Sequence, residues 1–568
     1  MVEVLFSVRL WTRQPSATFA QQATVGIPPG RFPASNLDKK KRRPRSRTKD
    51  EPSGSAVKPL VFRVDETTPE IVQNVLLERG WNKFDEQTQD DEDWDLYWRA
   101  SSFPIVKHAN LKPWQLLNHH PGTTKLTRKD DLAKLLKHMK GTYGASLYEF
   151  IPLTFIMPND YHKFVVQYTK ETQTLGRKSS YWICKPAELS RGRGIVIFSD
   201  IKDFIFDDTY IVQKYICNPL LVGKYKCDLR IYVCVTGFQP LTIYIYQEGL
   251  ARFATEKFDL HNLQNEYAHL TNSSINKLGP SYEKFKDVIG RGCKWPLSRF
   301  FSYLRSYDVD NMLLWQKINR MVILTVLAIA PLVPFAANCF ELFGFDVLID
   351  DNFKPWLLEV NYSPALSLHC STDVSVKRKL IHDIIDLIHV TGPRNKRRGS
   401  GHISKGDPNV FVQSDSSMCH SLINGPLLQI TGRELTSNEL ALEKVGRTCP
   451  KDTRASRLRE KMNKQDVPLA TREQPKIKPK LRSRHLPWES FIPYVPHTPS
   501  HSGSWGLPEN SCREPKSQAG NFVLIFPFNE ATFVASRNGL NVKRIIQELQ
   551  KLVNQQQSQM AEKTTRKR

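Results

Sequence analysis

The chain has 568 residues and a formal net charge of +24, with 81 Lys and Arg against 57 Asp and Glu. That excess sits at the ends: residues 1–58 carry net +8, residues 391–568 net +15, and residues 59–390 only +1. Ten cysteines without a CxxC or zinc spacing argue against a metal ribbon or a disulfide scaffold, and favour reduced thiols in a cytosolic protein.

A near-neutral middle with basic flanks reads as an enzyme-like globular unit whose arms attract a polyanion, whether nucleic acid, an anionic membrane or an acidic protein surface. Residues 1–58 read as a disordered arm rich in Pro and Ser, with the run Lys39-Lys40-Lys41-Arg42-Arg43-Pro44-Arg45 serving as a nuclear signal or a solvated charge cluster. Glu3, Arg9 and Arg13 around a short apolar run make a poor signal peptide.

From Leu60 the patterning predicts a strand to Val64, a helix from Pro69 to Arg79, an aromatic strand from Trp94 to Trp98, and a helix from Lys129 to Lys140 with Leu132, Leu135, Leu136 and Met139 on one face. Short β-branched or apolar runs then predict a sheet-rich stretch: Tyr181 to Lys185, Ile195 to Phe198, Tyr210 to Tyr215, Arg230 to Thr236 and Leu241 to Gln247. Helical patterns return at 310–330 and 374–390. Met321 to Ala337 is the longest apolar stretch; with Pro331 and Pro334 inside it, a buried core helix ending at the first proline is expected rather than a membrane span. A Pro/Lys/Arg-rich linker is expected from 391 to 508, then a short strand plus helix and a basic tail over 509–568.

The densest chemistry lies in two runs, Phe345 to Asp350 and Leu358 to Asn361, which should pair as an antiparallel hairpin around Asp350-Asp351-Asn352. Glu359 and Asn361 share a strand face, and Asp346 stands nearly opposite. Two carboxylates and an amide oxygen suit Mg2+; the competing structural reading is a strand-end acid and a glutamate paired with a lysine. Upstream, Ser190-Arg191-Gly192-Arg193-Gly194-Ile195 could bring backbone amides to phosphate oxygens or form an ordinary hairpin turn. Lys185 ends one strand and Gln213-Lys214-Tyr215-Ile216 ends another, where backbone groups could read a base edge. Asp228 and Arg230 fall on one strand face, as a site or as a surface ion pair. Arg252, His269, Thr271 and Asn272 add donors and acceptors. Together these groups supply what phosphoryl transfer requires.

The ordered series Lys185-Pro186, Ser190-Arg191-Gly192-x-Gly194-Ile195, Gln213-x-Tyr215-Ile216, Asp228-Leu229-Arg230, Arg252-Phe253, His269-Leu270-Thr271-Asn272, Phe345-Asp346 and Glu359-Val360-Asn361-x-Ser363-Pro364 resembles the tubulin-tyrosine-ligase-like enzymes over residues 60–390. The resemblance implies an α+β fold of the ATP-grasp type, with an amino-terminal module at 59–170 and catalytic lobes at 171–390 holding ATP between sheets. It implies that ATP phosphorylates a carboxylate and that an amino acid's amine attacks the acyl phosphate. On the same ground Lys129, Lys185, Ser190, Arg191, Gly192, Gly194, Ile195, Gln213, Lys214, Tyr215, Ile216, Lys226, Asp228, Thr271 and Asn272 would hold the nucleotide. Asp346, Glu359 and Asn361 would hold two Mg2+, while Asp228, Arg230, Arg252 and His269 would act on phosphoryl group, amino acid and acceptor.

The run Asn272-Ser273-Ser274-Ile275-Asn276-Lys277 looks closest to the glutamate-adding branch, with Ser273 departing from its usual Tyr, Cys227 from Phe and Ala251 from Val; none of these removes a metal or phosphate ligand. The expectation is therefore a monomeric, cytoplasmic, microtubule-associated polyglutamylase of tubulin tails, at work in the cytoskeleton and a candidate for cilium or basal body, using free glutamate. A net +15 flank suits glutamate-rich tails. Rival readings are glycine addition, a non-tubulin acidic acceptor, an inactive microtubule-binding protein, and a nucleic-acid arm, the last weakened by the scarcity of stacking aromatics.

Overall fold

The computed structural model describes residues 58–175, 180–203, 209–289, 293–388, 515–537 and 539–565; the arm expected over 1–58, save residue 58, and the linker expected over 391–508 lie outside the described residues. The described chain is mixed α+β, organised on three sheets.

The first sheet is parallel, in the order β2-β1-β3-β4: β1 (Val61–Val64), β2 (Asn82–Lys83), β3 (Leu96–Trp98) and β4 (Leu116–Leu117). Helix α1 (Glu70–Glu78) crosses over between the first two strands, burying Ile71, Val72, Val75 and Leu76 at the helical spacing that the sequence shows. Short α2 (Ile105–Ala109) and then α3 (Lys129–Tyr143) follow; α3 buries Leu132, Leu136 and Met139. The second sheet, antiparallel in the order β5-β8-β6-β7, comprises β5 (Thr154–Ile156), β6 (Trp182–Pro186), β7 (Val196–Phe198) and β8 (Tyr210–Lys214), with α4 (Tyr161–Leu175) preceding β6.

The third sheet is the largest. β9 (Leu221–Val222) pairs with β10 (Tyr225–Phe238), which forms a long hairpin with β11 (Leu241–Lys257). The two runs expected here as short strands thus extend to 14 and 17 residues. Small helices α5 (Glu266–His269), α6 (Ser273–Asn276) and α7 (Tyr282–Ile289) lead to β12 (Lys294–Pro296), then α8 (Leu297–Arg305) and α9 (Asn311–Ile329). β13 (Glu341–Ile349) and β14 (Pro355–Asn361) form the expected hairpin, and α10 (Ser371–Ile388) follows. The expected terminal strand-plus-helix is instead two strands and two helices: β15 (Gln518–Ala519), β16 (Phe522–Phe526), α11 (Glu530–Arg537) and α12 (Val542–Thr565). β16 joins the large sheet, whose order is β14-β13-β10-β11-β16-β15.

Both faces of this sheet are covered, so its strands are apolar almost throughout. Leu229, Ile231, Val233 and Val235 of β10 enter one core with α9, whereas Tyr232 and Cys234 enter the other with α10 and α1. Helix α9 passes a length and hydropathy test for a membrane span, but most of it is buried in this core, as expected.

Candidate active site

At one end of the large sheet, the face that elsewhere carries Tyr232, Cys234, Leu250 and Leu342 turns polar. By strand alternation Asp228 and Arg230 of β10, Arg252 of β11 and Asp346 of β13 belong to that face, and register confirms the grouping: Asp228 pairs Arg252, and Arg230 pairs Asp346. Asp346 also stands directly opposite Glu359. A β-bulge at Leu358 matters here. Leu357 and Val360 both lie in the α9 core, so the extra residue reverses the alternation and turns Glu359 and Asn361 to the polar face. Without it, Glu359 would share the core face of Leu357.

Four of these charges form a buried chain. Arg230 donates to Asp346 through Nε at 2.5 Å and through Nη2 at 3.1 Å; Arg252 reaches Asp346 at 2.8 Å and holds Asp228 through Nε at 2.7 Å and through Nη2. Burial opposes ionisation of Asp346, but the two guanidiniums hold its carboxyl well below the usual range. Glu359 differs. Burial and the adjacent Asp346 push its carboxyl up, and its nearest cation is Lys129 at 3.8 Å. Asn361 donates its amide nitrogen to the Gly344 carbonyl (3.2 Å) and to Glu359 (3.3 Å), leaving its oxygen as the available donor. Two opposed acids, one of them short of cations, beside a free amide oxygen make a donor set that fits Mg2+.

The second sheet forms the opposite wall. Lys185 is buried and donates to Gln213 Oε1 at 2.8 Å, while Gln213 Nε2 is anchored on Thr154 at 2.9 Å. Burial pushes Lys185 down to about 8, with Lys129 adding to the effect and Glu359 opposing it. Lys226 is pushed down to about 7, again by burial first. Its ammonium donates to the His269 carbonyl (2.8 Å) and to Tyr215 Oη (3.0 Å). The Tyr215 hydroxyl meets His269 Nδ1 at 2.9 Å, and His269 Nε2 faces the Asn262 carbonyl at 3.0 Å. The carbonyl requires Nε2–H, so Nδ1 accepts from Tyr215. Both ring nitrogens are therefore committed, and His269 is 1% exposed. It braces Tyr215 and Lys226 and lines the cleft beside them. Lys214 likewise turns away: its ammonium binds Glu171 and Ser180, so only its backbone serves the cleft.

The loop at 190–194 closes the cleft over α6. Arg191, Gly192 and Gly194 all have positive φ, and a Cβ on Gly192 would meet Ile275 Cδ1 at 2.3 Å and Asn272 Oδ1 at 3.2 Å, so this close approach requires glycine. Lys129 Nζ donates to the Leu189 carbonyl at 2.7 Å, tying α3 to the same loop. Ile195, Ile216 and Thr271 complete the lining.

A second cavity of about 600 Å³ opens on the far side of Arg252 and Glu359 and is lined by Arg191, Lys277, Lys294 and Lys377 among others. Its floor is an ion triad. Asp373, fully buried, takes Lys294 at 2.8 Å and Lys377 at 2.8 Å. The lysines hold Asp373 down at about 2 against burial, and burial pushes Lys377 down to about 8. The sequence reading missed these three residues. Asp373 and Lys377 are charges at i and i+4 on the apolar face of α10, beside Val376 and Leu380, which is a legible warning of a buried ion pair.

A lysine-walled cleft joined to an acid–amide trio and a cationic cavity defines an enzyme for anionic substrates. The Tubulin-tyrosine ligase family profile matches residues 106–398, and the chain belongs to that family. It is 66% identical over 558 residues to "Probable tubulin polyglutamylase TTLL2" of Homo sapiens, covering 96% of this chain and 94% of that protein. The Mus musculus protein of the same name is 64% identical over 513 residues, with 89% and 94% covered. "Tubulin polyglutamylase TTLL5" of Mus musculus is 37% identical over 341 residues, covering 58% of this chain and 25% of that protein.

Proposed function

We infer that this protein is an ATP- and Mg2+-dependent ligase of the ATP-grasp type that adds glutamate to glutamate side chains of tubulin tails on the microtubule cytoskeleton. One observation carries the reading: the lysine-walled cleft and the cationic cavity share Ser190, Arg191, Arg252, Asn272 and Glu359, so a phosphoryl donor on one side meets carboxylates on the other. The names of the relatives support tubulin as acceptor.

Lys185, Lys226 and the loop at 190–194 would bind the triphosphate, and the backbone of Gln213 to Ile216 the base. Mg2+ held by Asp346, Glu359 and Asn361 would neutralise phosphate charge and orient the γ-phosphate. Arg252, pinned on both sides by Asp228 and Asp346, presents its remaining edge to the transferring group without needing to reorganise. An acceptor carboxylate oxygen attacks the γ-phosphorus and ADP leaves. The amine of the incoming glutamate then attacks the acyl phosphate carbon, the amide bond forms, and phosphate leaves as the amine gives up a proton.

The cationic cavity favours glutamate over glycine, because glycine has no side-chain carboxylate to place against Lys277, Lys294 or Lys377. Incubating the protein with ATP, Mg2+, tubulin and each amino acid in turn, then reading tail peptides by mass, tests this. Glutamyl increments are expected; glycyl increments, or no product, overturn it.

A further inference from the structure

The segment after residue 514 lies beyond the stretch that the family profile matches, yet β16 is a fully integrated strand of the large sheet. It pairs antiparallel with β11 from Ile243 to Tyr246, and all five of its side chains are buried. Phe522 and Leu524 enter the α10 core, while Ile525 and Phe526 enter the α9 core, joined there by Ile545, Ile546 and Leu549 of α12. One carboxylate ties the segment to two other elements. Asp383 of α10 accepts from the Asn521 amide at 3.0 Å, from Tyr246 Oη of β11 at 3.0 Å, and from Lys379 at 2.8 Å. Tyr244 Oη donates to the Lys516 carbonyl at 2.9 Å. Gly520 sits hard against this point: its φ is +56°, and a Cβ there would stand 2.2 Å from Asp383 Cγ.

Two of the elements joined at Asp383, β11 and α10, also carry walls of the cationic cavity. On β11, Tyr244, Tyr246 and Leu250 share the core face that leads to Arg252, about 20 Å along the strand from Tyr246 at strand rise. On α10, Lys377 lies six residues before Asp383, on the same buried side as Leu380 and Ile384. We propose that residues 516–549 act as a clasp that fixes α10 against β11, and thereby sets the spacing of Arg252 and Lys377 across the cavity that receives the carboxylate substrates. The nucleotide wall is built on β6, β8 and the loop at 190–194, in a different sheet from the one that β16 joins. The two substrates should therefore respond differently when the clasp is loosened.

The inference rests on the ligase reading for its kinetic arm only. In the full-length protein, Gly520→Ala and Asp383→Asn are expected to raise KM for glutamate about 5- to 20-fold, since small misplacements of positioning groups are costly. The dissociation constant for Mg2+-ATP should stay within about twofold, and Tyr246→Phe, which keeps the ring and loses one hydrogen bond, should fall between these variants and wild type. Amide hydrogen exchange should quicken at 248–254 and 371–378 in Gly520→Ala. If wild type ligates nothing, the proposed function fails and the exchange measurement alone decides the clasp. A lower unfolding midpoint with unchanged KM and unchanged exchange at those segments would overturn it, as would a parallel loss of nucleotide affinity.

Discussion

Glu359→Gln and Asp346→Asn, two substitutions on facing residues, should both abolish product and yet move stability in opposite directions. Asp346 is 2% exposed and receives three guanidinium contacts between 2.5 and 3.1 Å. Its folded pKa is depressed, so its contribution is fully present above about pH 4 and is lost only as pH falls through the folded value. Replacing it by Asn at pH 7 removes the charge between two buried arginines. Breaking such a pair costs about 3–5 kcal/mol, and the retained amide oxygen puts the expected loss near about 3 kcal/mol. Glu359 has the opposite sign: its raised pKa means that holding the charge at pH 7 costs stability in the ligand-free fold. Its side chain keeps 29% exposure and lies 3.8 Å from Lys129, which offsets part of that cost and leaves a small gain in stability expected for Gln. Urea unfolding at pH 7 without nucleotide reads both, with product measured by mass on tail peptides. A Glu359→Gln variant destabilised by about 2 kcal/mol or more would show a structural ion pair, and the case for a site strained toward a cation would fail.

Nucleotide binding should take up protons, because a triphosphate favours the ammonium forms of Lys226 and Lys185, which titrate near about 7 and about 8. Affinity is expected to be highest below pH 7 and to fall as pH rises through both values; calorimetry at pH 8 in buffers of different ionisation enthalpy measures the uptake, and a buffer-independent heat would refute it. Lys185→Met should weaken Mg2+-ATP binding at least about tenfold, whereas Lys214→Met, whose ammonium is committed to Glu171, should change it less than about threefold by the same titration. Deleting Leu358 removes the bulge yet leaves Glu359 directly after core-facing Leu357, and so still on the polar face opposite Asp346; product is therefore expected to persist, read by mass on tail peptides. A deletion variant that ligates nothing would show that the bulge itself, and not only the facing it gives Glu359, is required.

The hairpin of Asp346 and Glu359 was legible because polar residues interrupt apolar alternation at a fixed spacing, and that signal needs no long-range information. The bulge at Leu358 was not legible, since strict alternation from Pro355 would have put Glu359 on the core side. Resemblance supplied the role of His269, but only distances show both nitrogens spent on Tyr215 and Asn262. The Lys294–Asp373–Lys377 triad joins residues 79 apart in the chain through one short strand and one helix, so its parts read separately as a lone lysine and a helical i,i+4 pair. The place of β16 was least legible of all. A five-residue apolar strand announces burial, but its partner in the sheet lies more than 270 residues upstream.

That last pairing has a consequence for biosynthesis. Among the described residues, only 522–526 pair with the edge of β11 at Ile243 to Tyr246, and apolar side chains on both faces stand beside that edge until those residues leave the ribosome. At translation rates of about 5–20 residues per second, residues 389–514 take roughly 6–25 s to make. Throughout that interval a nascent chain presents an open, sticky margin of the kind that invites aggregation. The order of synthesis thus leaves that margin to be covered last, by the strand farthest along the chain.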